Sequence, residues 1–240
     1  MKRFLAIVLT LLMLLSLAAC GEEKRSSKKD KKEKTTTTVT ETTPDVEPTN
    51  DIVLPTGNTA ESGLTCGTLS GNTYENDYFG FGINVPSSWT TKSQSEIATL
   101  NGTDAATMQN DFESVAGKMQ TSYLFYSIDN STGNNLNVVI ENLGLTNNKG
   151  MTGDEYLNAA KALLESTYES MGAENVEMKI STIAIDKNTY SCMEAALTME
   201  GAEMSQLVLV VPANDYMAVI TFTVADIDAF GYLNDYFYDL

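Results

Sequence analysis

The sequence predicts an α+β fold, a mainly antiparallel sheet flanked by helices. Three observations carry this. Strand patterns come in runs rather than alternating one by one with helices. The last four follow each other through short turns, and the helical stretches are few, each with one apolar side. Short connections force antiparallel pairing, because a parallel crossover needs a dozen or more residues.

In chain order the first segment lies outside that fold. Lys2 and Arg3 precede an apolar run from Phe4 to Leu15, and Leu17-Ala18-Ala19-Cys20-Gly21 closes it. A charged start, an apolar middle and a small-residue end describe a secretory signal peptide, residues 1–19. A membrane-spanning helix needs about 20 apolar residues, and this run is shorter. The closing residues resemble the lipobox of bacterial lipoproteins. The resemblance implies a covalent diacylglyceryl lipid on Cys20, which becomes the new N-terminus. It also implies localisation at the cell membrane, lipid-anchored and facing the extracytoplasmic side. No other cofactor is expected.

Residues 20–63 read as a disordered tether. Gly21 to Lys34 is almost entirely charged or small, and Thr35-Thr36-Thr37-Thr38 opens a Thr/Glu/Pro mixture running to Asn50. Such a composition buries too little apolar surface to fold. As a flexible coil it spans roughly 35–40 Å. Its bases, Lys24, Arg25, Lys28, Lys29, Lys31, Lys32 and Lys34, can add attraction to anionic headgroups beside a lipid or serve as a solvated spacer.

Residues 64–240 read as one domain. Phe79, Phe81, Ile83 and Val85 alternate with Gly80, Gly82 and Asn84, a half-buried strand that Pro86 ends. Asp104 caps a helix carrying Met108, Phe112, Val115 and Met119 at helical spacing. Strands at Thr121–Asp129 and Leu136–Asn142 flank the turn-rich Asn130–Asn134. The strongest helix signal runs from Asp154 to Met171, opened by capping-box spacing at Thr152 and Glu155 and closed by Gly172. Strands follow at Val176–Ile185, Thr189–Met199, Met204–Val211 and Tyr216–Val224. A last helix starts at Asp226, with Ile227, Phe230, Leu233 and Phe237 facing in.

Composition narrows the chemistry. The chain has 15 Lys and Arg against 32 Asp and Glu, and no histidine. The domain's only bases are Lys92, Lys118, Lys149, Lys161, Lys179 and Lys187, so its net charge of −17 equals that of the whole chain. Nucleic-acid binding needs phosphate neutralisation and is not expected. Without arginine there is no bidentate fork for carboxylate or phosphate, and without histidine no Ser-His-Asp or His-ligated metal site. Acidity suits cationic, neutral or sugar-like partners, or simply solubility.

Tyr74-Glu75-Asn76-Asp77-Tyr78-Phe79-Gly80, through Pro86 and Trp89, resembles the opening of PsbP-like domains, which share an α/β/α sandwich with Mog1-type proteins. The chain is also similar to small Gram-positive lipoproteins that carry such a domain behind a Thr-rich tether. The resemblance implies a fold and no site residues, because the family's metal-associated histidines have no counterpart here.

The remaining candidates each have a plain structural alternative. Cys66 and Cys192 form a candidate disulfide, or are two small core residues. Trp89 is a lid over the strand end or a ligand-facing platform. Glu200 with Glu203, Asp226 with Asp228 and Asp154 with Glu155 are carboxylate pairs of the kind glycoside hydrolysis uses, though acids at helix starts also serve as caps. Asp129–Asn135 has the oxygen content of a calcium loop but not its spacing. Tyr123, Tyr126, Tyr216, Tyr232, Tyr236 and Tyr238 suit sugar or protein contact, or core packing. The expected function is a membrane-anchored, non-enzymatic binding or accessory domain, with a cell-wall or extracellular protein or glycan as partner. The alternatives are a carboxylate-dependent hydrolase of extracellular glycans and a thiol-disulfide protein using Cys66 and Cys192. No catalytic or metal-binding residue is assigned.

Overall fold

The computed structural model describes residues 63–146, 148–225 and 233–240. The signal segment, Cys20 and nearly all of the tether lie outside the described residues, as do Asp226, Ile227, Asp228, Phe230 and Tyr232.

Two antiparallel sheets form the described fold. The smaller has the order β1 (Thr68–Ser70), β2 (Thr73–Asn76), β3 (Phe81–Asn84), β11 (Phe237–Asp239). The larger has seven strands: β4 (Thr90–Thr91), β5 (Thr121–Ile128), β6 (Asn135–Asn142), β10 (Tyr216–Val224), β9 (Ala202–Ala213), β8 (Asn188–Met199) and β7 (Glu174–Ile185), in that order. The predicted meander is β7 to β10. Each of its hairpins turns in two residues, and Asp186, Glu200 and Asn214 take left-handed backbone there (φ 49°, 51° and 51°). Such turns match the strand twist. β10 then returns to pair with β6, setting Asn142 opposite Tyr216.

The helices are α1 (Gln94–Leu100), α2 (Ala105–Asn110), α3 (Phe112–Lys118), α4 (Gly153–Ser170) and α5 (Leu233–Tyr236). α4 packs Tyr156, Leu157, Ala160 and Leu164 against Met193, Val208, Val210 and Met217 on one face of the large sheet. Its capping box at Thr152 and Glu155 is formed as expected. Gly153 brings the helix start close to the sheet, and a Cβ there would lie 2.9 Å from the Ser191 hydroxyl. On the opposite face a second core joins Ile97, Met108 and Phe112 of α1–α3 and Tyr74, Phe81 and Phe237 of the small sheet to Leu136, Ile220 and Phe222.

The α+β class stands, with one face covered by a second sheet as well as by helices. The short strands β1, β2 and β4 lie outside the expected elements, and three further elements differ from expectation. The helix opened by Asp104 breaks at Asp111 (φ −141°) into α2 and α3. α1 was not anticipated, although Ser93 and Glu96 form its capping box. Phe237 lies on β11, not on a helix, opposite Ile83.

Candidate functional site

The Tyr74–Trp89 motif is a folding device. The buried Asn76 side chain accepts from the backbone N–H of Tyr78 (3.1 Å) and Phe79 (3.3 Å), fixing the β2–β3 turn. Its amide donates to Thr65 O and to the Tyr74 hydroxyl, which donates to Cys66 O (3.1 Å). Gly82 is required by the Tyr238 ring, which lies 2.2 Å from where a Cβ would stand. Trp89, 8% exposed, stacks at 6.2 Å on Phe222 and meets Tyr236. It is a core residue rather than a ligand platform, because its faces are already covered.

The motif also positions one residue of a cleft. Tyr78, held by the turn that Asn76 fixes, reaches the β9–β10 turn, where its hydroxyl accepts from the Asn214 amide (3.0 Å) and lies 3.5 Å from Ala213 O. The cleft along this seam between the two sheets has a volume of about 510 Å³. Its charged and hydrogen-bonding walls are Tyr78, Glu113, Asn142, Asn214, Asp215 and Tyr216, and Gly63 and Leu64 close one side. Thus the chain enters the described fold at the rim of the cleft. The two tyrosines meet edge to face, centroids 6.4 Å apart.

Burial pushes both phenols up, and the charges of Asp215 and Glu113 push them further. Both therefore stay neutral donors at physiological pH. Asp215 accepts an ion pair from the 71% exposed Lys149 (2.8 Å). Glu113 has no hydrogen bond or ion pair among the described residues, and Lys118 is turned along α3 to Ser114. Asn142 is buried, with its amide donating to Ala116 O (3.0 Å).

Next to Asn142, pointing from β6 toward α4, is Glu141. It is 5% exposed. Burial pushes its carboxyl up to about 7, while Tyr156 acts in the lowering direction. The Tyr156 hydroxyl feels that carboxyl's charge, yet among the described residues neither it nor the Oγ of Thr121, opposite Glu141 on β5, has a partner in hydrogen-bonding geometry.

The residues singled out from sequence are scattered. Cys66 and Cys192 do not form the candidate disulfide. Each is a buried free thiol with its own neighbours, Gln109 beside Cys66 and Ser181 beside Cys192. Burial pushes both thiols up, away from the reactive thiolate. Glu155 is used by its capping box. Glu200 turns a hairpin, and Glu203 is exposed on β9. Asp129 accepts from Ser131 and Thr132, closing the β5–β6 turn by itself. No group of three metal-ligating acidic or thiol residues exists among the described residues. Of the tyrosines named that fall among the described residues, only Tyr216 lines the cleft. Tyr78, Glu113, Asn142, Asn214 and Asp215 were not anticipated as a site. Asn214-Asp215 between two strand patterns was the one local signal, and it read only as a turn.

No protein-family model and no curated relative matches the chain. Among solved structures, it is similar to the cyanobacterial PsbP (CyanoP) of Synechocystis sp., with TM-score 0.42 and 11% identity over 78% of this chain and 99% of that one. It is also similar to a protein of Bacteroides thetaiotaomicron, with TM-score 0.36 and 10% identity over 72% of this chain and 49% of that one.

Proposed function

We propose that the chain is an extracytoplasmic lipoprotein anchored through Cys20, whose domain is a non-enzymatic binding or accessory module. Its contact site is the cleft between Tyr78 and Tyr216. The observation that carries the binding reading is the make-up of that cleft: the half-buried Tyr216 ring and two carboxylates line it, backed by the buried Tyr78 and Asn142, and Glu113 has no hydrogen bond or ion pair among the described residues. Aromatic faces with convergent polar groups are what a recognition site requires. The anchor rests on the sequence from Lys2 to Gly21.

Replacing the anchor tests the location. Cys20→Ala is expected to move the protein from the membrane fraction to the soluble fraction or medium. Retention equal to wild type would overturn the anchor. A second reading has one observation in its favour, since Glu113 and Asp215 share the cleft as a hydrolase pair would. Asp215 is held by Lys149 rather than free to deliver a proton, which favours binding. Turnover of wall glycan by wild type, abolished in Glu113→Gln, would reverse that preference.

A further inference from the structure

Resting on the cleft as the contact site, we propose that its ligand is an organic ammonium, a positively charged nitrogen on an apolar stem. Every formally charged group on the cleft wall is a carboxylate, Glu113 on α3 and Asp215 in the β9–β10 turn. The shared influence of both acids on both phenols places all four groups in one electrostatic field. Such a field attracts a cation and repels an anion. The half-buried Tyr216 ring, with the buried Tyr78 behind it, then discriminates among cations. Ring quadrupoles attract ammonium groups most strongly where water is displaced, and an alkyl stem packs on the ring where a hydrated metal ion cannot. The cleft volume, about 510 Å³, admits a lysine-sized group with room to spare.

The structure already holds an internal rehearsal of this contact. The Lys149 ammonium lies 2.8 Å from Asp215 Oδ2 at the edge of the cleft. Lys149 is therefore a competitor for the ligand's charge. Removing it frees Asp215, whereas removing Glu113 takes away the carboxylate that has no partner among the described residues.

The test uses the full-length chain in neutral detergent, with tyrosine ring resonances as the readout. The probes are N-acetyl-lysine methylamide and spermidine, with neutral N-acetylglucosamine trisaccharide as comparison. Saturable shifts at Tyr78 and Tyr216 with the ammonium probes, weakening with added salt, are expected. Glu113→Gln should weaken binding about fivefold, and Lys149→Met should tighten it up to about fivefold, the worth of one exposed ion pair. Both positions are exposed, so neither variant threatens the fold. A lysine-side-chain ligand favours the first probe, and a free polyamine the second. Saturation by the trisaccharide but not by the ammonium probes would overturn the ligand class and leave the cleft as a binding site. No response to any probe would overturn both.

Discussion

Glu141 sits between Thr121 and Met217 in the large sheet, and its carboxyl resists ionisation because water is excluded from it. Its folded pKa, about 7, lies above the ordinary 4.5, so the folded state binds the proton more tightly than the unfolded chain. Stability from this group is complete below pH 4.5, falls as the pH rises toward 7, and is flat above. The loss is about 3 kcal/mol at roughly 1.4 kcal/mol per pKa unit. Thermal melts should therefore show the protein more stable at pH 5 than at pH 8. Glu141→Gln should raise the melting temperature at pH 8 and flatten this dependence. An unchanged pH slope in the variant would assign the effect to other groups. At this scale the sequence was silent: a glutamate ending the strand pattern Leu136–Asn142 looks solvent-facing until β10 and α4 close over it.

Gly82 shows how an element depends on one missing side chain. β3 accepts the Tyr238 ring across its surface, and that ring donates to Glu75 (2.9 Å) from the far side of the hairpin. Gly82→Ala forces the ring away and should cost about 1–3 kcal/mol, the usual range for overpacking. The cost should shrink when Tyr238 is also Ala, a coupling that a double-mutant cycle by chemical denaturation measures. Equal costs in both backgrounds would show the ring contact to be incidental. Elements were legible where their signals were long or doubly marked. β10 was placed to the residue, between a tight turn and an unbroken apolar pattern. α4 was placed within one residue at each end by its capping box and by Gly172. α1 was missed because seven residues with only Ile97 and Ala98 buried give almost no apolar period, although Ser93 and Glu96 marked its start. The cleft was illegible for a different reason. Its walls come from the β2–β3 turn, α3, the end of β6 and the β9–β10 turn, and only the pairing of β6 with β10 brings them together.

For the whole molecule, a net charge of −17 with only two ion pairs among the described residues leaves most carboxylates without a cationic partner there. Such a chain repels itself, and salt should relieve the repulsion. The melting temperature is expected to rise by several degrees between low salt and about 0.5 M, where the screening length shrinks to a few ångströms. A flat or falling response would show that the acids are spaced beyond mutual reach. The Tyr74–Asn76 pair has a bearing on mechanics as well. β1, three residues long, is an edge strand immediately after the point where the chain enters the fold, so a pull from a surface tether would unzip it one bond at a time. The bonds from Asn76 to Thr65 and from Tyr74 to Cys66 fasten the chain upstream of β1 directly to the inner strand. In the anchored state proposed above they would act as a strain relief, putting tension on buried side chains rather than on the outermost strand.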